Sequence, residues 1–348
     1  MPQLTSSIQP QEATKLLLKK LPSRRMRDVV ERRFGLKGGK RHTLDAIGKE
    51  YKITRERVRQ IETDALRHLA ESSTSSDIQP TLHALEAHIR NHGSVMAEPH
   101  LFATVAVARL HPHVRLLMNV GRQFQSVDET DDYRERWALD RAAVERGEKI
   151  MTGVVRDLEG RGAPVSEKEL HETIGRNVRE LTEETPEGEH VFAALRETHK
   201  LIRKNPYGEY GLTSWTTVNP RGVRDKAYVV LNKERKPMHF ENVARAITNA
   251  GWSKKKAHPQ TVHNELIKDS RFVLVGRGLY ALKEWGYEPG TVKDVMVSTL
   301  KEASQPMTKD DVIQKVLGQR FVKAPTILLN LQNKSLFRRL DDGKYTLV

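Results

Sequence analysis

From residue 163 onward the chain writes one pattern three times, so it has to fold as repeated units. Each unit opens around a proline: Ala163-Pro164-Val165-Ser166, Lys236-Pro237-Met238-His239 and Gln305-Pro306-Met307-Thr308. Apolar residues follow six and ten positions after each proline: Leu170 and Ile174, Val243 and Ile247, Val312 and Val316. A separation of four places each pair on one face of a helix. Each unit closes on G-x-Y-x-L, at Gly208-x-Tyr210-x-Leu212, Gly278-x-Tyr280-x-Leu282 and Gly343-x-Tyr345-x-Leu347. An apolar residue stands eight before each tyrosine: Ile202, Phe272 and Phe337. That ending predicts a β-hairpin with the glycine at or near its turn. Ser166-x-x-Glu169 and Thr308-x-x-Asp311 predict N-terminal caps for the helix after the proline.

The order within a unit is therefore helix, short strand, helix, helix and two-stranded wing, which is the winged form of helix-turn-helix. Residues 80–139 read as a degenerate fourth unit, with a helix at Leu82–Ile89, then Gly93-Ser94-Val95, then apolar Leu101–Leu110, ending in Phe124 to Trp137. A solenoid is the rival reading, but a repeat of ~70 residues is longer than the usual solenoid period. Composition agrees with tandem small domains. Only 37% of the 348 residues are hydrophobic, too few to fill one large core. The serine-rich run Glu71–Asp77 reads as a linker, with further boundaries near Asn219–Gly222 and Glu288–Gly290. The expected modules are 1–72, 77–139, 140–219, 220–288 and 289–348.

The net charge of +14 is unevenly spread. Residues 1–70 carry 17 basic and 8 acidic side chains, 221–290 carry 14 and 7, and 291–348 carry 10 and 6, whereas 71–220 are mildly acidic. A basic module at each end points to a polyanion, with nucleic acid the usual one. The chain has no cysteine, which excludes disulfides, zinc fingers and thiol chemistry. No apolar run approaches the ~18 residues of a membrane span. The first fifteen residues, MPQLTSSIQPQEATK, have no basic segment followed by an apolar one, so no signal peptide is expected and the cytoplasm is the default.

The densest signal runs from Thr43 to Leu69, and it predicts two helices joined by a tight turn. Thr43 caps the first, Leu44 and Ile47 face inward, and Gly48 is small where the helices cross. Tyr51-Lys52-Ile53 makes the turn and Thr54 caps the second helix. Val58, Ile61, Ala65 and Leu69 fall at spacings of three and four, one buried stripe. Arg55, Glu56, Arg59 and Gln60 lie clear of that stripe, near the helix N-terminus, the end that a recognition helix places in the major groove. Arg pairs with guanine, Gln with adenine, and Glu accepts from cytosine N4. Lys49, Lys52 and Arg57 flank these residues and suit phosphates, as do the capping threonines Thr43 and Thr54. The bland alternative is an amphipathic helix with a solvated charged face.

T-L-x-x-I-G-K-x-Y-x-I-T-R-E-R-V-R-Q-I-E-x-x-A-L-R-x-L closely resembles region 4.2 of the bacterial sigma-70 family. The preceding Leu21-Pro-Ser-Arg-Arg-Met-Arg-Asp-Val-Val-Glu-Arg-Arg-Phe34-Gly35-Leu36 resembles region 4.1, so the likeness spans about residues 15–70. It implies that Arg55, Glu56, Arg59 and Gln60 match positions reading a promoter −35 element, and that this module contacts the β flap of RNA polymerase. Nothing in the chain resembles sigma region 2, and a complete promoter-opening sigma factor is not expected.

A second resemblance covers 221–287. Pro259-x-Thr261-Val262-x-x-x-Leu266, Arg271-Phe272 and Gly278-x-Tyr280-x-Leu282 are similar to the HARE-type winged helix of the delta subunit of some bacterial RNA polymerases. The chain ends Asp341-Asp342-Gly-Lys-Tyr-Thr-Leu-Val, without the long acidic tail of that family.

Other features carry less. Phe34 and Arg41 stand where a P-loop needs Gly and Ser or Thr. His111-x-His113 has no companion ligands, so no metal or cofactor is expected. Lys254-Lys255-Lys256 precede the second apolar helix of their unit and are secondary candidates for phosphate contact. No catalytic arrangement stands out, so an enzyme is not expected. The sequence predicts a mainly α fold with small β-wings, a sigma region 4 helix-turn-helix followed by tandem winged helices. The function expected is a double-stranded DNA-binding transcription factor, sigma-like, working with RNA polymerase core in the cytoplasm, at the nucleoid, with no membrane or small-molecule substrate. The alternatives are a protein-interaction scaffold of the transcription machinery and a DNA-processing accessory factor.

Overall fold

A computed structural model describes residues 9–38, 40–182 and 188–348; the N-terminal stretch discussed above begins outside them. The chain divides into two compact units, residues 1–203 with 210–212, and residues 204–209 with 213–348.

The first unit opens with α1 (Pro10–Lys19), α2 (Arg24–Phe34), α3 (Leu44–Tyr51) and α4 (Arg55–Ser72). Ser23 caps α2 by accepting from the Met26 N–H at 3.1 Å. Gly35 ends the helix at φ 72°, a left-handed turn that a side chain would strain. This is the physical content of the Arg33-Phe34-Gly35 sequence.

The order helix, strand, helix, helix, wing then follows. The first instance is α5 (Gln79–Asn91), β1 (Val95–Ala97), α6 (Glu98–Val105), α7 (His111–Val120), β2 (Gln125–Val127) and β3 (Arg136–Ala138). Its three strands are antiparallel in the order β1-β3-β2. The second is α8 (Arg141–Arg161), α9 (Glu167–Leu181), α10 (Glu189–Thr198) and the hairpin β4 (Ile202–Lys204) and β5 (Tyr210–Leu212). Ser166 and Glu169 form a full capping box on α9.

In the second unit, α11 (Val223–Glu234), β6 (Met238–His239), α12 (Phe240–Ala250), α13 (Pro259–Lys268), β7 (Phe272–Gly276) and β8 (Leu279–Leu282) form a winged helix with strand order β6-β8-β7. The last is α14 (Val292–Ala303), α15 (Lys309–Gln319), α16 (Ala324–Leu331), β9 (Phe337–Arg339) and β10 (Tyr345–Leu347). Thr308 caps α15.

One pairing explains the repeated sequence. The residue after each repeat proline pairs antiparallel with the G-x-Y-x-L tyrosine: Val165 with Tyr210, Met238 with Tyr280 and Met307 with Tyr345. In the degenerate unit Met96 pairs with Trp137. The turn glycines Gly208, Gly278 and Gly343 all have φ between 68° and 84°.

The run Glu71–Asp77 is not a linker. Helix α4 continues through Ser72, and Ser73 is 1% exposed. The Ser73 hydroxyl lies 2.8 Å from the Ala70 carbonyl oxygen and 3.3 Å from that of Val120. Gln79 Nε2 donates to the Ser73 carbonyl at 2.8 Å, and Ile78 is fully buried. Serine hydroxyls stand in for water at the helix end, so a polar sequence makes a folded corner.

That corner joins two modules into one core. Leu17, Leu18, Leu21, Val30, Phe34, Ala65 and Leu69 share a continuous buried cluster with Leu82, Leu101, Leu110, Val114, Leu117 and Met118. Helix α7 packs against α1, α2 and α4, and α10 packs against β1. A second, smaller core of Val29, Ile47, Val58 and Ile61 lies under the helix-turn-helix itself.

Candidate nucleic-acid interface

The α3–α4 pair is built as the spacing predicts. Thr43 accepts from the Ala46 N–H and Thr54 from the Arg57 N–H, each at 3.1 Å. Lys52 takes the left-handed conformation at φ 55°, and the Ile53 N–H returns to the Gly48 carbonyl at 3.0 Å. A Cβ on Gly48 would stand 2.7 Å from the Ile53 carbonyl oxygen, so the turn admits no side chain there. Val58, Ile61, Ala65 and Leu69 are buried, while Arg55, Glu56, Arg57, Arg59 and Gln60 are all exposed.

The exposed row is internally organised. Arg59 Nε donates to Glu56 Oε2 at 2.9 Å and Nη2 to Oε1 at 2.7 Å. Each holds the other charged: the arginine is pushed up and the carboxyl down from their ordinary values by that shared bond. Arg57 Nη1 donates to Gln60 Oε1 at 3.0 Å, so a proposed phosphate contact and a proposed base contact share one hydrogen bond. Lys49 pairs with Asp45 at 2.8 Å, whereas Lys52 and Arg55 are exposed. Thr63 and Arg67, one and two turns beyond Arg59 and Gln60, continue the same exposed face. The spacing of four and seven would have revealed them.

Behind this face α2 is tied to the pair. Arg32 Nε meets Asp28 at 2.7 Å and its guanidinium also bonds Glu50. The Tyr51 hydroxyl donates to Asp28 at 2.8 Å. Arg33 Nε meets Glu62 at 2.9 Å. The reading helix is thereby held on a rigid support.

Lys254, Lys255 and Lys256 lie exposed in the turn between α12 and α13, outside the α4 face. His111 and His113 sit on α7, where the His111 ring nitrogen is 2.9 Å from the Ala106 carbonyl oxygen and His113 is buried. Among the described residues no helix is long and apolar enough to cross a membrane.

Residues 17–71 match the family model for sigma-70, region 4, and residues 222–285 match that of HARE-HTH, the helix-turn-helix domain of ASXL and restriction endonuclease proteins. The first segment is 44% identical over 55 residues to the RNA polymerase sigma factor SigA of Lactococcus lactis subsp. cremoris, covering 16% of this chain and 15% of that protein. It is 48% identical over 54 residues to SigA of Clostridium acetobutylicum, covering 16% and 14%. SigA of a Nostoc species gives the same identity and coverage. The chain thus spans about 15% of the length of the curated relatives it matches. Both matched families are helix-turn-helix types. Together they mark a DNA-binding, transcription-related protein with a mainly α fold and small β-wings.

Proposed function

We propose that this chain is a sequence-specific duplex-DNA-binding transcription factor, sigma-like, that acts at promoters together with RNA polymerase. In this reading Arg55, Glu56, Arg59 and Gln60 contact base edges. Thr43, Lys49, Lys52, Thr54 and Arg57 contact phosphates and set the register. The observation that carries it is the exposed row on the first turns of α4, opposite a fully buried stripe and braced by α2. The polymerase contact follows the likeness to the sigma factors and is assigned to the β flap of the core enzyme. The protein works in the cytoplasm, at the nucleoid, and no catalytic step or cofactor enters this reading.

The test is a selection from random duplexes with the intact chain, run with and without RNA polymerase core. A −35-like consensus that sharpens with polymerase is the expected result. The chain as the only sigma-like factor should leave promoter DNA closed to permanganate. An open bubble, or no recovered consensus under either condition, would sink the reading.

A second reading, a protein-interaction scaffold, is favoured for residues 77–203 by one observation. Helices α7 and α10 are spent on packing against neighbouring modules.

A further inference from the structure

The four winged units place four helices at the position that a winged helix presents to a duplex: α7, α10, α13 and α16. They differ in what they leave to solvent. On α7 Asn119 is the only exposed residue. Helix α10 exposes Glu189 and His190 at its first turn. Helix α16 exposes Pro325, Thr326 and Leu329 and carries no charged side chain. Helix α13 exposes Pro259, Gln260, Thr261, Asn264, Ile267 and Lys268.

The chemistry of α13 matches its exposure. Gln260 Nε2 donates to Asn264 Oδ1 at 3.2 Å. The Gln260 carbonyl and the Asn264 amide N–H groups are left facing outward, the acceptor and donor that adenine N6 and N7 require. His258 at the N-cap makes no side-chain capping bond and Pro259 occupies the first turn, so the remaining first-turn N–H groups are open to an anion. Lys254, Lys255 and Lys256 precede that end, and Arg277 is exposed at the turn between β7 and β8. Arg245 and Lys256 line an open groove of about 450 Å³ along α12 and α13, with Glu241 at its edge.

We propose that α13 is a second duplex-DNA-reading element, with Gln260, Thr261 and Asn264 on base edges and Lys254, Lys255, Lys256 and Arg277 on phosphates, and that α7 and α10 do not touch DNA. The proposal rests on the reading of the chain as a DNA-binding protein and adds a site to it. The ligand is a double strand, because amide readers on a helix address the edges of paired bases in a groove.

The test is random-duplex selection with the full chain and its variants. Two separable blocks of base preference are expected. Arg59→Ala should blur one, and the pair Gln260→Ala/Asn264→Ala the other, with about tenfold weaker binding to the selected site. Lys254→Ala/Lys255→Ala/Lys256→Ala should weaken all duplexes alike and lower the salt slope by about 3. Asn119→Ala and His190→Ala should leave both blocks intact. One block sensitive to Arg59 and indifferent to Gln260 and Asn264 would overturn α13 as a reader and leave α4 standing. No base preference from the intact chain would overturn both sites. Tighter binding to duplex RNA of the selected sequence would overturn DNA as the ligand.

Discussion

Arg59 and Glu56 grip each other across one turn of α4 on its solvent face, with Nε to Oε2 at 2.9 Å and Nη2 to Oε1 at 2.7 Å. A guanidinium has five donors, so this grip leaves Nη1 and part of Nη2 free for a guanine edge while fixing the plane of the fork. Both side chains are more than half exposed, so the pair is oriented without being locked. Arg59→Ala should weaken the preferred duplex by about tenfold to a hundredfold and relax preference at one base pair. Glu56→Ala should change preference too, and the double variant should lose less than the product of the two, since the residues act as a pair. Binding titrations on the selected site and its single-base variants measure this. Independent, multiplicative effects would show that the grip has no part in recognition.

Lys52 tests the other class of contact. It is exposed in the turn between α3 and α4, aside from the row that starts at Arg55. Lys52→Ala should weaken every duplex alike and lower the slope of log affinity against log salt by about 1. A sequence-dependent loss would move Lys52 into base readout.

A histidine cluster in the first unit makes its stability pH-dependent. The His88 ring lies 4.2 Å from that of His92, which lies 5.2 Å from that of His190 on α10. His88 bonds Thr104 at 3.0 Å, and Glu197 and Arg196 of α10 act on His100 nearby. Burial, then the neighbouring histidines, hold His88 down at about 4, and burial lowers His92 and His100. These groups are neutral when folded and take protons more readily when unfolded. Stability is therefore full above the ordinary histidine value of 6.5 and falls as pH drops toward 4. Melting temperatures at fixed ionic strength should fall between pH 7.5 and 4.5, and His88→Gln should flatten the curve. Equal slopes for the two proteins would remove His88 as a contributor.

How far the sequence could be read depends on whether a signal was local. The proline of each repeat and its distant tyrosine were legible as a motif, and the Val165–Tyr210, Met238–Tyr280 and Met307–Tyr345 pairings supply its reason. The caps Thr43, Thr54, Ser166 and Thr308 were legible because a cap is a four-residue arrangement. The face of α4 was legible as the complement of its buried stripe. The corner at Glu71–Asp77 was not, because serine hydroxyls serve a chain turning through water and one turning over a core equally well. Only Ile78 and the distant Val120 carbonyl decide between the two. The docking of α7 had a signal that went unused. Val114, Leu116, Leu117, Met118 and Val120 are all buried, and a helix apolar on more than one side has more than one neighbour.

Leu117 measures that docking. It is fully buried on α7 and belongs to the cluster shared with Leu17, Leu69 and Phe34 of the first module. Had Glu71–Asp77 been a tether, a cavity at Leu117 would loosen residues 79–138 and leave the reading module unchanged. With one shared core, Leu117→Ala should cost about 2–5 kcal/mol and propagate to α1 and the C-terminal half of α4. The first turns of α4 rest on the separate core of Val29, Ile47, Val58 and Ile61, so their structure should hold while their support weakens. Hydrogen exchange on the full chain resolves the two cases. Faster exchange at Leu17, Leu18 and Leu69 together with α7 is the expected pattern, with DNA affinity falling less than stability does. Faster exchange confined to residues 79–138 would restore an independent first module and make the buried contact of α7 energetically idle.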